Sequence, residues 1–482
     1  MRRLISLIMF ILVVLMMSSC SIIKPEDPAI PIDPIVVVPK EKPINYDLIE
    51  SPYGFSAISI TDRSQIDDGY YIAENEIAFL DALMQTNVKI IEITNDLNLG
   101  SIEVATMLSD ASKNMSMYSD VFRADSKQAL LHPTLIESGI GLVRIIGREN
   151  LTIFSNTGIT IKHASFNIDN SSNIVIRNLH LSELWEWDEL NLGTYKRNDW
   201  DYFEVEKSDG IWFDHLTFDQ AYDGIIDVKE YSSNLTLSWS KLNFVPNTFI
   251  EDQINALEMN QNEYPFYKSL RDSDISVEDI IELGSYQKKG FNLGNTTDGI
   301  GFESISMTFH HLEIFNLMDR MPRIRKGDVH VYQIILDNEA LYNLRLRVSH
   351  PSLSMVNQGI VTTEQGAVLM ENSIYKYVST PIKNHQDDDQ DTKYTGKYQI
   401  INSEWVMPNR TFFGSSSDKN TLWIHSGPDL AIPFEFRNHE NIPYYYKLED
   451  LYYLPETFDK YPTGSQAIDG FIWLYINTNP AN

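Results

Sequence analysis

Eight short runs between residues 150 and 403 constrain the fold more than any other part of the sequence. They are NLTIFSN (150–156), NIVIRNL (173–179), GIWFDHL (210–216), NLTLSWS (234–240), SMTFHHL (306–312), DVHVYQI (328–334), GAVLMEN (366–372) and KYQIINS (397–403). Each is β-rich and edged by Asn, Ser, Gly or Asp, the residues that favour turns. Their starts fall 23, 37, 24, 72, 22, 38 and 31 residues apart. A unit of 22 to 24 residues suffices for one full turn of three short strands, and the longer gaps then hold loops. Self-similarity at such a period is the mark of a solenoid. An antiparallel sandwich also shows short strands at regular spacing. Strand-only units with almost no helical pattern between them favour an all-β, single-stranded parallel β-helix. Asn at the turns supports this, because stacked Asn side chains can bond from rung to rung. Before the solenoid, ENEIAFLDALMQT (74–86) has the spacing of one amphipathic helix, and VKIIEI (88–93) reads as a strand.

The N-terminus specifies an address. Arg2 and Arg3 precede an apolar run, Leu4 to Met17, that is too short to span a bilayer. Met17-Ser18-Ser19-Cys20 follows, and Cys20 is the single cysteine of the chain. The pattern resembles the lipobox of bacterial lipoproteins. It implies a signal peptide over 1–19, a lipidated Cys20, and a chain held at the cell membrane facing outward. Residues 20–48 form a Pro-rich tether, with six prolines in 21–45, and Pro favours extended backbone. The remaining span, 49–482, reads as one β-helical domain with no disulfide available to it. Within it, 250–298 reads as a polar inserted loop over a groove. The aromatic-rich end, 430–482, reads as a segment packed along the outside of the solenoid.

The segment 199–241 concentrates carboxylates at turns: Asp199, Asp201, Asp223 and Asp227. Such a group is either a solvated acidic edge or an oxygen cage for a hard cation. The formal net charge of −29 argues against nucleic acid, whose binding draws on Lys and Arg. An anionic sugar remains compatible if cations gather locally or a metal bridges like charges.

GIWFDHLTF (210–218), DGIIDVK (223–229) and FHHLEIFNLMDRMPRIRKGDVHVYQ (309–333) resemble the pectate lyases of the first polysaccharide-lyase family. The resemblance covers roughly residues 70–430. It implies a right-handed, pectin-lyase-like parallel β-helix that cleaves polygalacturonate by β-elimination, as a monomer, with Ca²⁺. By the same resemblance Asp201, Asp223 and Asp227 bind Ca²⁺, with Asp199 beside them. Arg320 is the base and Arg325 grips a substrate carboxylate, which a guanidinium fork fits well. An arginine can serve as a base only if nearby positive charge, here Ca²⁺ and Arg325, lowers its pKa. Lys229, two residues past Asp227, points to the same face and toward a sugar carboxylate. Arg323 is an extra charge with no assigned place, a surface ion pair being one reading of it, and Pro322 sets the turn.

One position departs from the family. An ungapped count from Asp227 puts the family's substrate-binding lysine at Asn247, which leaves Lys288 or Lys289 as replacements. The departure also admits a lyase on another uronate polymer, or a carbohydrate-binding lipoprotein without turnover. Trp212, Asp214 and His215 are expected in packing, and His310, His311 and His330 as buried, satisfied histidines. Trp185, Trp187 and Trp200 could stack on sugar rings or pack at the rim. Asp387–Asp389 read as a solvated loop.

Overall fold

The eight runs become neighbouring strands of one sheet. The register runs Leu151↔Ile174, Ile174↔Ile211, Ile211↔Leu235, Leu235↔Met307, Met307↔Val329, Val329↔Val368 and Val368↔Tyr398, every pair parallel. The structure, a computed structural model, describes residues 51–59, 69–109, 119–122, 130–195, 197–294, 302–384, 395–414 and 434–474. These fall within one compact unit, Pro39–Asn482. The signal peptide, Cys20, the Pro-rich tether and Asp387–Asp389 lie outside the described residues.

The described strands form an 18-stranded sheet and a 9-stranded sheet. A typical turn of chain adds two strands to the larger sheet, such as Ser172–Arg177 and His180–Ser182, and one to the smaller, such as Phe203–Glu206, which is a right-handed parallel β-helix. Apolar residues from both sheets fill the interior. Ile174, Ile211, Leu235, Met307, Val329 and Val368 come from the larger sheet, and Phe166, Phe203, Ile226 and Phe291 from the smaller. Their lateral register stacks like on like, so each rung's core residue meets its neighbour's.

A corner of the larger sheet takes a left-handed residue on seven successive rungs. Asn178, His215, Trp239, His311, Gln333, Asn372 and Asn402 stand one place beyond paired strand residues, with φ between 42° and 56°. Asn tolerates this region better than most residues. Asn402 bonds Asn372 at 2.9 Å, rung to rung. In the middle of the row the expected Asn stack gives way to rings: Trp239 lies over His311 at 4.0 Å and 19°.

The first helix, Glu76–Met84, is capped by Asn75, which accepts from the Ala78 amide at 3.0 Å. The insertion is not the polar loop its composition suggests. It folds as three helices, Thr248–Met259, Pro265–Arg271 and Val277–Ser285. They bury Ile250, Ile254, Leu257, Phe266, Tyr267, Leu270 and Ile280. Glu189 ties them down, accepting from the Tyr267 amide at 3.1 Å and from Trp187 Nε1 at 3.0 Å. The segment 434–474 runs along the outside of the larger sheet. Tyr444 bonds His330 at 2.7 Å, and the Trp473 amide donates to Asn156 at 3.0 Å.

Candidate active site

The smaller sheet carries a row of polar side chains across its rungs. Its register is Arg144↔Asn167, Asn167↔Glu204, Glu204↔Asp227, Asp227↔Asn292 and Asn292↔Arg323. Laterally paired residues share a face, so these groups stand side by side. Asn292 is the link between acid and base. It donates to Asp227 Oδ1 at 2.8 Å and accepts from Arg323 Nε at 2.8 Å.

Just before these strands, two connections bring the acids together, Asp199 and Asp201 ahead of Phe203–Glu206 and Asp223 ahead of Ile226–Val228. One oxygen each from Asp199, Asp201 and Asp223 lies within 4.8 Å of the others. Asp199 is 70% exposed, whereas Asp201 is only 5% exposed. Gly224 permits the approach, because a Cβ there would meet Asp201 Oδ1 at 2.5 Å. Burial pushes the Asp201 carboxyl well above the usual range, and the charges of Asp227, Asp223 and Asp199 push it further. Asp227 rises to about 6, chiefly through burial, against the pull of Lys229 and Asn292. Asp223 is raised by burial while Lys289 opposes it. An all-carboxylate set with this much uncompensated charge fits a hard divalent cation such as Ca²⁺, which takes oxygen ligands in flexible geometry. Asp227 stands beside the three-acid group and is engaged by Asn292.

The cations sit on the following rungs. Lys289 pairs with Asp223 Oδ1 and donates to the Tyr195 carbonyl at 2.7 Å. On the next rung, the Phe291 amide donates to the Arg320 carbonyl at 2.9 Å, so Arg320 follows Lys289 across the groove. Arg320 has φ 69°, away from the left-handed corner row described above. Left-handed backbone in a non-glycine residue costs of order 1–3 kcal/mol and clusters at functional sites. Arg320 Nε has no hydrogen-bond partner among the described residues, and the nearest acid, Asp319, is 3.8 Å away. Lys229 bonds Glu204 at 2.9 Å and lies 3.9 Å from Asp199. Burial alone would lower its pKa, but the Glu204 bond and the charges of Glu204, Asp227 and Asp199 raise it.

Several expectations change. Arg323 is not in a surface ion pair. It is 8% exposed in the strand Arg323–Arg325. Burial, then Arg320 and Arg325, bring its pKa down to about 9. Arg325 is 3% exposed and bonds Glu364 at 2.8 Å. Asn247 is the N-cap of the first inserted helix, accepting from the Ile250 amide at 3.0 Å. The ungapped count therefore lands on the insertion, and the groove lysine is Lys289, beyond the three helices. Lys288 turns aside to the Ser354 carbonyl at 2.7 Å. Trp185, Trp187 and Trp200 are all buried, and Trp187 stacks on Phe266 at 5.4 Å. They hold the insertion and the 184–200 loop in place and present no face to a sugar.

Trp212, Asp214 and His215 lie on the other sheet. Asp214 accepts from Arg177 Nε at 2.6 Å, His215 Nδ1 at 2.8 Å and Ser238 Oγ at 2.6 Å. His310 and His330 are buried with partners on both ring nitrogens. His311 is buried too, but among the described residues only its Nδ1 has a partner.

A parallel β-helix with an acidic cage followed by Lys and Arg on successive rungs is the frame of a polysaccharide lyase. A family model described as pectate lyase matches residues 143–264. Pectate lyase B of Paenibacillus amylolyticus is 38% identical over 319 residues, 63% of this chain and 78% of that one. A pectate trisaccharide-lyase of Thermotoga maritima is 30% identical over 165 residues, 34% of each chain. The solved structure of a pectate lyase from Paenibacillus sp. 0602 matches with TM-score 0.78 at 34% identity, over 86% of this chain and 96% of that one. A pectate lyase from Bacillus sp. N165, solved with trigalacturonate, shares the fold at TM-score 0.50 and 14% identity, over 86% of this chain and 99% of that one. The chain belongs to the pectate lyases.

Proposed function

We propose that this lyase cleaves polygalacturonate by β-elimination that depends on Ca²⁺, and that it acts outside the cell as a monomer tethered through lipidated Cys20. The observation that carries the reading is the alignment of Asp201, Asp223, Lys289 and Arg320 over successive rungs.

Removing the C5 proton of a uronate builds negative charge beside an existing carboxylate. Groups that offset charge in that state lower the barrier. Asp199, Asp201 and Asp223 would hold the calcium ion, with Asp227 adjoining. When bound, it supplies Lewis-acid neutralisation of the uronate carboxylate. Arg320, in its neutral guanidine form, takes the C5 proton and becomes guanidinium, the C–H pair forms the C4–C5 double bond, and the C4–O4 bond breaks. The leaving oxygen takes a proton from solvent. Lys289 and Lys229 attract sugar carboxylates on either side of the acids. Arg325, held by Glu364, adds positive charge from beneath the groove. Arg323 acts through Asn292 to orient Asp227 and is a positioning residue.

The test is ultraviolet absorbance of unsaturated product from polygalacturonate with Ca²⁺. A positioned base contributes about 10²–10⁴-fold, so Arg320→Ala should lose activity on that scale while still binding oligogalacturonate. A chelator should abolish the signal. Full turnover by Arg320→Ala, or in chelator, would refute the assignment.

A further inference from the structure

A second site lies on the larger sheet, away from every residue of the acidic groove. The segment 434–474 roofs a cavity of about 520 Å³ there, within the roughly 300–1,000 Å³ of pockets that hold small molecules. Its wall is aromatic: Tyr53, Tyr332, Tyr445, Tyr453 and Tyr461 line it. Tyr445 and Tyr453 are 74% and 53% exposed, so their faces are open to a ligand. Lys447 and Lys460 face Glu449 and Glu456 around it, so donors and acceptors are balanced.

His311 lines the same cavity, and its hydrogen bonding can be followed from the backbone. The Pro52 carbonyl is an acceptor, so His310 Nε2 donates to it at 2.8 Å. Burial holds His310 neutral, with its pKa down to about 4. Its Nδ1 is therefore an acceptor, and His311 Nδ1 donates to it at 2.8 Å. Burial, then the neighbouring His310, lowers the His311 pKa as well. Neutral His311 is left with Nε2 as a bare acceptor, and it has no partner among the described residues. Buried acceptors are rarely left unmade. His311 is 4% exposed, and its ring is fixed by stacking on Trp239 at 4.0 Å.

A buried acceptor, tyrosine faces and a balanced ring of charges match the surface of a pyranose, which offers hydroxyl donors and C–H faces to aromatic rings. We propose that this cavity is a non-catalytic sugar site that holds a stretch of the polysaccharide while another stretch lies in the groove. It rests on the lyase reading only for the identity of the polymer.

The full-length Arg320→Ala protein would not consume its ligand and can be titrated by calorimetry with trigalacturonate and, separately, with galactotriose. The expected result is binding to the cavity in addition to the groove. Trigalacturonate binding at two sites marks an acidic ligand, and galactotriose binding at one site marks a neutral one. Adding Tyr445→Ala and Tyr453→Ala should remove the cavity event, and His311→Phe should weaken it at least tenfold. In otherwise intact enzyme the two tyrosine changes should raise KM for long polymer severalfold and leave turnover of trigalacturonate unchanged. A single trigalacturonate event with no galactotriose binding, or events unaffected by the tyrosine changes, would overturn the proposal. Cavity binding without any elimination activity would instead count against the lyase reading and leave this one standing.

Discussion

Asn292 joins two charged groups, and its removal tests how much the groove depends on that junction. Asn292→Leu keeps the size of the side chain and deletes its bonds to Arg323 and Asp227. Hydrogen bonds to charged groups contribute about 1.5–3 kcal/mol each. Taking one member from a buried ionic network costs about 3–5 kcal/mol, because the remaining charge is stranded. Arg323, 8% exposed, is the group that would be stranded. The expected loss is therefore about 3–5 kcal/mol, read as a lower midpoint of urea unfolding followed by tryptophan fluorescence. Calcium affinity should fall too, since Asp227 loses the donor that favours its charged form. Asn292→Leu with Arg323→Met removes both partners, and most of the stability should return. A loss under about 1 kcal/mol for the single change, or no recovery in the double, would refute the argument.

Three further outcomes are expected. Lys289→Met should raise KM for polygalacturonate at least tenfold, whereas Asn247→Ala should cost about 1 kcal/mol of stability as a lost helix cap with KM unchanged; steady-state kinetics and thermal melts separate the two. The third concerns pH. The Asp227 carboxyl is raised from 3.8 to about 6, and Asp201 and Asp223 move the same way. Their ionisation opposes folding, so stability from this group is greatest at acid pH and falls as pH rises through about 4 to 6. At 1.36 kcal/mol per unit, Asp227 alone accounts for roughly 3 kcal/mol. Bound Ca²⁺ removes the repulsion, so the difference in Tm between calcium and chelator should widen over that window. A difference independent of pH would contradict it.

The rungs were legible because their signal is local. Each of the eight runs carries its own turn residues, and each is a strand of the larger sheet. The acids Asp199, Asp201 and Asp223 were legible for the same reason, standing on two neighbouring turns of one short stretch. Lys289 was not assignable by counting. Spatial neighbours on adjacent rungs, Gly224 and Lys289, are separated in sequence by a helical module whose length nothing in the flanking strands encodes. Asn247 carried a signal that was open to reading: Asn three residues before Ile250, at the head of an amphipathic pattern, is a cap. The three tryptophans left stacking and packing open in the sequence, because their partners are distant or unmarked in it: Phe266 and Tyr267 from the insertion for Trp187, Tyr195 for Trp185 and Tyr222 for Trp200. Arg323 could not be placed from the sequence because its acceptor, Asn292, is visible only in register.

The row of groups across the smaller sheet also works as a ruler. Neighbouring strands stand about 4.8 Å apart, so functional groups on successive rungs can be spaced only in that step. Moving along a strand allows a second step of two residues, since a shift of one turns the side chain to the other face. A polymer lying across the strands therefore meets a grid fixed by the backbone. Side-chain substitution can change what stands at a grid point, but the interval between points belongs to the sheet. Matching a different sugar repeat would then require a new loop or a skipped rung, and no single exchange of residues would achieve it.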